Sequence, residues 1–269
     1  MTGAAVVELF TVWLRPLTYG SFVHEIMING MRLAYTDDGP RDAPALVFSH
    51  SLFFSSRMFH HQVAYFSDRY RVICYDHRGQ GASDRAPREE LDMDTLNDDA
   101  AGLLEHLDLG PAHFAGNSMG GFIALRLAAR RPELLASVAV LGSSAEAEGK
   151  IAEFDPLAAA MTEHGTGPVI DTLMWIMLGD ETLAAPRCAA QNAEWPEWML
   201  NLDRGIGDCA YQVIHRKPVL GNWLDAPFRC SPSVASRTTR TRSGTRARSS
   251  RRSRTAIWRW CRVPATRCP

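Results

Sequence analysis

Four short, unbroken apolar runs limit what this chain can fold into more than any other feature. They are ALVFSHS from Ala45, YRVICYD from Tyr70, AHFAGNS from Ala112 and LASVAVLGS from Leu135. Between them lie stretches with helical spacing: MFHHQVAYF, Leu96 to Leu107, and MGGFIALRLAARRP closed by Pro132. A strand that is apolar on both faces must be covered on both faces. Such strands alternating with helices therefore predict a mainly parallel, doubly wound α/β sheet. Before the first run, FVHEIMI and MRLAYTD flank Asn29-Gly30, a hairpin signal.

The alternation stops at about Glu146. From there to Pro218 the chain carries Trp175, Trp195 and Trp198 with Met161, Met174, Met177 and Met199, a composition that suits either a small helical core or the wall of a pocket. The expected organisation is an ill-defined extension over 1–20, a core over 21–145, a helical lid over 146–217, and a return to the core over 218–230. Residues 231–269 form a tail of another kind, with 11 Arg and no Asp, Glu, Lys or His. Residues 1–230 then hold 18 basic and 30 acidic residues, a net of −12, which disfavours nucleic acid or an anionic membrane as partner. Six scattered cysteines form neither a disulfide framework nor a zinc pattern, and no apolar run is long enough to span a bilayer. The apolar stretch Ala4 to Leu14 carries Glu8 and lacks a basic flank, so no signal peptide is expected. A soluble protein of the reducing cytoplasm is the expectation.

Gly116-Asn117-Ser118-Met119-Gly120 fits G-x-S-x-G. Chance alone yields this pattern in roughly one chain in ten of this length, so its context decides. A strand precedes it and a helix follows, the arrangement that exposes a serine hydroxyl at the C-terminal edge of a sheet beside a helix N-terminus. With VFSHSLFF and CYDHRGQGAS, in this order and spacing, the region from Phe22 to Cys230 resembles the α/β-hydrolase superfamily. Within it, SHSL, YDHRGQGAS and GNSMGG are similar to 3-oxoadipate enol-lactonases and related small esterases. Many members have His-Gly in the loop where this chain has His50-Ser51.

The resemblance implies a serine hydrolase of a small ester, lactone or related acyl substrate. Ser118 would be the nucleophile, and the backbone N–H groups of Leu52 and Met119 the oxyanion hole. An Asp in place of Ser118 would point instead to dehalogenase or epoxide hydrolase chemistry. Neither a metal nor an organic cofactor is implied, and the expected partner is the small acyl substrate alone. Cleavage of a C–C bond, a perhydrolase-type reaction and a non-catalytic binding role are the alternatives. Phe53, Phe54 and Phe122 read as pocket walls or core. His50 and His77 read as residues that structure their loops, with Asp76 and Arg78 fixing the second turn.

The superfamily order places an acid and then a histidine late in the chain. Here all nine histidines lie at or before His215, and no acid follows Asp225. His164 and His215, in the expected lid, are weak candidates for the base. Reverse translation of the tail with G/C-ending codons, each new codon starting at the third base of an old one, turns Ile257 to Cys268 into MAVVPGAGHAV. The same shift turns Pro232 to Arg240 into VGREPDDP. These resemble the superfamily's histidine loop and acid turn, so the tail reads as an out-of-frame, disordered product of a GC-rich gene. The sheet is then expected to be truncated, with Ser137–Leu141 as an open edge. A genuine Arg/Ser arm for an acidic partner is the other reading.

Overall fold

The computed structural model describes residues 22–219, together with the backbone of 229–232 and 259–262. Among the described residues, eight strands, numbered in chain order, form one sheet in the order β1-β2-β4-β3-β5-β6-β8-β7. A hairpin of β1 (His24–Ile28) and β2 (Met31–Asp38) begins it, with Asn29 at φ 48° and Gly30 at φ 77° in the connecting turn. The left-handed turn at Asn-Gly matches the right-handed twist of the flanking strands.

The centre is parallel: β3 (Ala45–Ser49) lies between β4 (Arg71–Tyr75) and β5 (Ala112–Asn117), and β6 (Leu135–Leu141) follows β5. These are the four apolar runs, and every residue of β3 is buried. Helices α1 (His60–Phe66), α2 (Met93–His106) and α3 (Met119–Arg130) connect them. Helix α2 begins at Asp92, whose carboxylate accepts from the N–H groups of Asp94 and Thr95, so it starts a few residues earlier than its apolar pattern predicts. One core cluster on one face gathers Val47, Ile73 and Phe114 with the inner faces of α2 and α3; a second gathers Phe48, Phe66 and Cys74.

After β6 come four helices in succession: α4 (Ile151–His164), α5 (Ile170–Ala184), α6 (Ala189–Leu200) and α7 (Gly205–Ile214). Met161, Met174, Trp195 and Met199 are buried in the main core cluster, Met177 and Trp198 pack on it partly buried, and Trp175 is exposed. This segment is thus packed onto the sheet domain through its methionines and two of its three tryptophans. Among the described residues no helix is long and apolar enough to cross a membrane.

The strand expected as an open edge is not one. Segment β8 (Arg259–Arg262) pairs antiparallel with β6, and β7 (Arg229–Pro232) pairs with β8. The unpaired N–H and C=O groups along a buried apolar strand such as β6 accept any extended segment that can reach them. The other residues of 231–269, and with them the reading of the tail as an out-of-frame product, lie outside the described residues, as do residues 1–21.

Candidate active site

Strand order brings three chain segments together. The connection from β4 to β5 passes over β3, so β3 has β4 on one side and β5 on the other, and chain direction reverses there as a crevice-forming switch point. Register pairs Ser49 with Tyr75 and with Gly116. The C-terminal ends of these strands therefore deliver His50–Phe54, Asp76–Ser83 and Asn117–Met119 to one place.

Ser118 occupies the turn between β5 and α3 at φ 49°, ψ −111°, a region unfavourable for a residue with a Cβ. Strain of this kind costs about 1–3 kcal/mol and persists only where neighbours impose it. Here its N–H donates to the Leu141 carbonyl at 2.8 Å, and its carbonyl accepts from Gly121, Phe122 and the Ser143 hydroxyl at 2.9, 3.0 and 2.7 Å. Both motif glycines are required by close approach. A Cβ on Gly116 would stand 2.1 Å from the Gly120 carbonyl oxygen, and one on Gly120 would stand 2.0 Å from that of Ser49. Met119 opens α3, so its N–H has no acceptor within the helix and lies at the positive end of the helix dipole.

The loop after β3 is fixed by two buried histidines. The Nδ1–H of His50 donates to the Ser51 carbonyl at 2.8 Å, and its Nε2 accepts from the His77 backbone N–H at 3.0 Å. The Nε2–H of His77 donates to the His50 carbonyl at 3.2 Å, which also accepts from the Gly120 N–H at 3.1 Å. The two partners of His50 fix it as a neutral ring protonated at Nδ1, and the carbonyl partner of His77 places a proton on its Nε2. Burial lowers the basicity of both; for His50 it outweighs the pull of Asp76, and for His77 the neighbouring His50 adds to it. Both histidines therefore structure their loops, as their sequence context predicts. Asp76 accepts from the N–H groups of Ser56 and Ala82 at 2.7 and 2.8 Å, and Arg78 makes a two-pronged pair with Asp99 at 2.8 Å on each prong.

Ser51, in place of the more common glycine, fits without left-handed backbone. Its hydroxyl hydrogen-bonds the side-chain oxygen of Asn117, with the Asn117 backbone carbonyl 3.3 Å away. The left-handed residue is Phe53, at φ 69°. Its N–H donates to Gln80 Oε1 at 3.3 Å, and its carbonyl accepts from Trp198 Nε1 at 3.0 Å. Gln80 also points its amide at the Met119 sulfur, 3.4 Å away. Phe53, Phe54 and Phe122 belong to the main core cluster, and Trp195 meets Phe54 edge-on at 4.6 Å.

The sequence did not single out Asn117, Gln80 or Trp198 for these contacts. Only the first two stand within motifs that could have flagged them. The weak candidates for a base have acidic partners of their own. His215 Nε2 is 2.8 Å from Asp155, and exposed His164 is 3.6 Å from Glu163. His113 bonds Ser137, His106 the Gly102 carbonyl and His60 the Arg57 carbonyl.

A serine at a strained strand–turn–helix junction, facing a loop from the adjacent parallel strand, is the organisation of the α/β-hydrolase fold, and the chain has that fold. A family model for the alpha/beta hydrolase fold matches residues 44–163. Among curated relatives, the chain is 38% identical over 151 residues to 3-oxoadipate enol-lactonase 2 of Acinetobacter baylyi, covering 56% of each chain. It is 41% identical over 117 residues to a non-heme chloroperoxidase of Streptomyces lividans, covering 43% of this chain and 42% of that protein. The crystal structure of the enol-lactonase from Burkholderia xenovorans LB400 superposes with a TM-score of 0.67 at 28% identity, covering 72% of this chain and 75% of the other. The chain spans about half the length of the curated relatives it matches.

Proposed function

We propose that the chain is a serine hydrolase of a small ester, lactone or related acyl substrate. The observation that carries this reading is Ser118 at φ 49° between β5 and α3, beside the His50–Phe54 loop. In this reading Ser118 Oγ attacks the substrate carbonyl, and its proton passes to a general base. The N–H groups of Leu52 and Met119 hold the oxyanion that develops in the tetrahedral intermediate, lowering the barrier without tightening the ground state. Collapse expels the alcohol, or opens the lactone, and leaves an acyl-enzyme. Water then releases the acid and restores Ser118. The similarity to enol-lactonases supports a lactone as substrate, with the helices of 151–214 acting as a lid.

The base and its orienting acid are assigned to no described residue. We place them in the frame-shifted segment, where a single-frame change just after Cys230 would restore a late Asp and a late His. Sequencing the coding DNA tests this directly: third-position bases that do not spell those residues reject it. A fluorophosphonate probe tests the nucleophile. Labelling that disappears in Ser118→Ala is the expected result; labelling that persists, or a wild-type chain and a frame-restored chain that both stay unlabelled, refutes the reading. The chain as given should hydrolyse p-nitrophenyl acetate roughly 10³-fold more slowly than the frame-restored protein.

The similarity to a chloroperoxidase favours a second reading, in which hydrogen peroxide in place of water takes the acyl group from Ser118 and a peracid leaves. Product analysis with and without peroxide separates the two. The free thiols of Cys74, Cys188 and Cys209 suit a reducing, cytoplasmic setting. Burial pushes the Cys209 thiol up to about 12, which leaves it inert as a nucleophile.

A further inference from the structure

Phe53 directly follows Leu52, one of the two residues proposed as oxyanion donors, and is buried with a left-handed backbone at φ 69°. A bulky aromatic residue holds that conformation only under outside constraint. Both of its backbone polar groups are held by side chains from distant parts of the chain. Gln80, in the turn after β4, takes the N–H, and Trp198, on α6, donates its indole N–H to the carbonyl. Trp198 is itself fixed. Trp195 meets it edge-on at 6.5 Å, the Arg57 guanidinium lies 5.7 Å from its ring centre, and Arg57 pairs with Glu194 on the same helix.

We propose that Trp198 is a positioning residue through which the helical segment sets the oxyanion loop. With α6 seated, the indole clamps the peptide after Phe53 and holds the Leu52 N–H toward the site. With α6 displaced, Phe53 loses one of its two constraints and relaxes toward negative φ, turning the 52–53 peptides and removing that donor. Seating of the helical segment and assembly of the oxyanion hole become one event, so a substrate that closes the segment also completes the site. The inference rests on the serine-hydrolase reading for its catalytic consequence, but its structural content stands apart from it.

The test compares the full chain with Trp198→Phe, which keeps an aromatic ring and removes the indole N–H. By hydrogen exchange, amides of residues 50–57 should exchange about tenfold faster in the variant while the β3–β5 strands keep their protection. With the fluorophosphonate probe, the maximal labelling rate at Ser118 should fall about tenfold with the half-saturating probe concentration unchanged. Wild-type protection of residues 50–57 in the variant overturns the proposal. So does a uniform rise in exchange with an unaltered labelling rate, which marks a merely structural tryptophan. If neither the wild-type nor the frame-restored chain is labelled, the serine-hydrolase reading fails and exchange alone decides the inference; if only the frame-restored chain is labelled, the labelling comparison is made in it. If the variant does not fold, the wild-type protein decides. The Trp198 indole proton should then exchange as slowly as the loop amides, and rapid exchange refutes the clamp.

Discussion

Arg78 and Asp99 give the sharpest quantitative test of how the site is held. Both are buried, at 4% and 1% exposure, and their two hydrogen bonds join the turn after β4 to α2. Glu90 adds a third carboxylate contact to the guanidinium at 3.0 Å, and Asn29 Nδ2 reaches Asp99 at 3.1 Å. Arg78→Met keeps much of the side-chain volume and leaves Asp99 as a buried charge supported by Asn29 alone. Removing one partner of such a pair costs about 3–5 kcal/mol, because the survivor loses its compensation and stays out of water. For a domain of this size the loss corresponds to a fall in Tm of roughly 6–20 °C. Urea unfolding followed by tryptophan fluorescence at pH 7.5 measures it, with an unchanged m-value certifying the comparison. Arg78→Met with Asp99→Leu should recover a large part of the loss, because two apolar residues leave no uncompensated charge. A single-variant loss below about 1 kcal/mol, or a double variant no better than the single, would refute the argument.

Two further outcomes follow from the same geometry. Gly120→Ala would force a Cβ to within 2.0 Å of the Ser49 carbonyl oxygen and 2.5 Å of its carbon, which β3 cannot withdraw without losing its register. A destabilisation of about 3 kcal/mol or more is expected by urea titration, and a value under about 1 would show that the sheet yields. The buried histidines set a pH dependence. His50 and His77 are less basic folded than unfolded, so the unfolded chain binds more protons below pH about 6.5. Their stability contribution is complete above that pH and declines as pH falls below it, by up to about 2.7 kcal/mol per pH unit for the pair. His77→Gln retains an N–H for the His50 carbonyl and should halve that slope; an unchanged slope would exclude His77 as its source.

The fold class and the turn that carries Ser118 were legible because their signals are local. Val47, Ile73, Phe114 and Val138 sit in short, largely apolar runs that alternate with helical stretches, the pattern of interior parallel strands. Gly116 and Gly120 flank Ser118 because a Cβ at either would strike backbone. Leu52 and Met119 were named only through the family resemblance that the surrounding motifs carry. What tertiary structure decided is how that turn is held. The His50–His77 exchange, the Ser51–Asn117 bond, the Arg78–Asp99 pair and the Trp198–Phe53 clamp join residues 21 to 145 positions apart, and each exists only because β3 lies between β4 and β5 with α6 packed above. Ser51 shows the difference. In sequence it is a departure from His-Gly, whereas in the fold its hydroxyl is one more tie to the turn that carries Ser118. The edge at β6 was misjudged for the same reason. Local pattern says that a strand is apolar, and only the assembled sheet says what lies beside it.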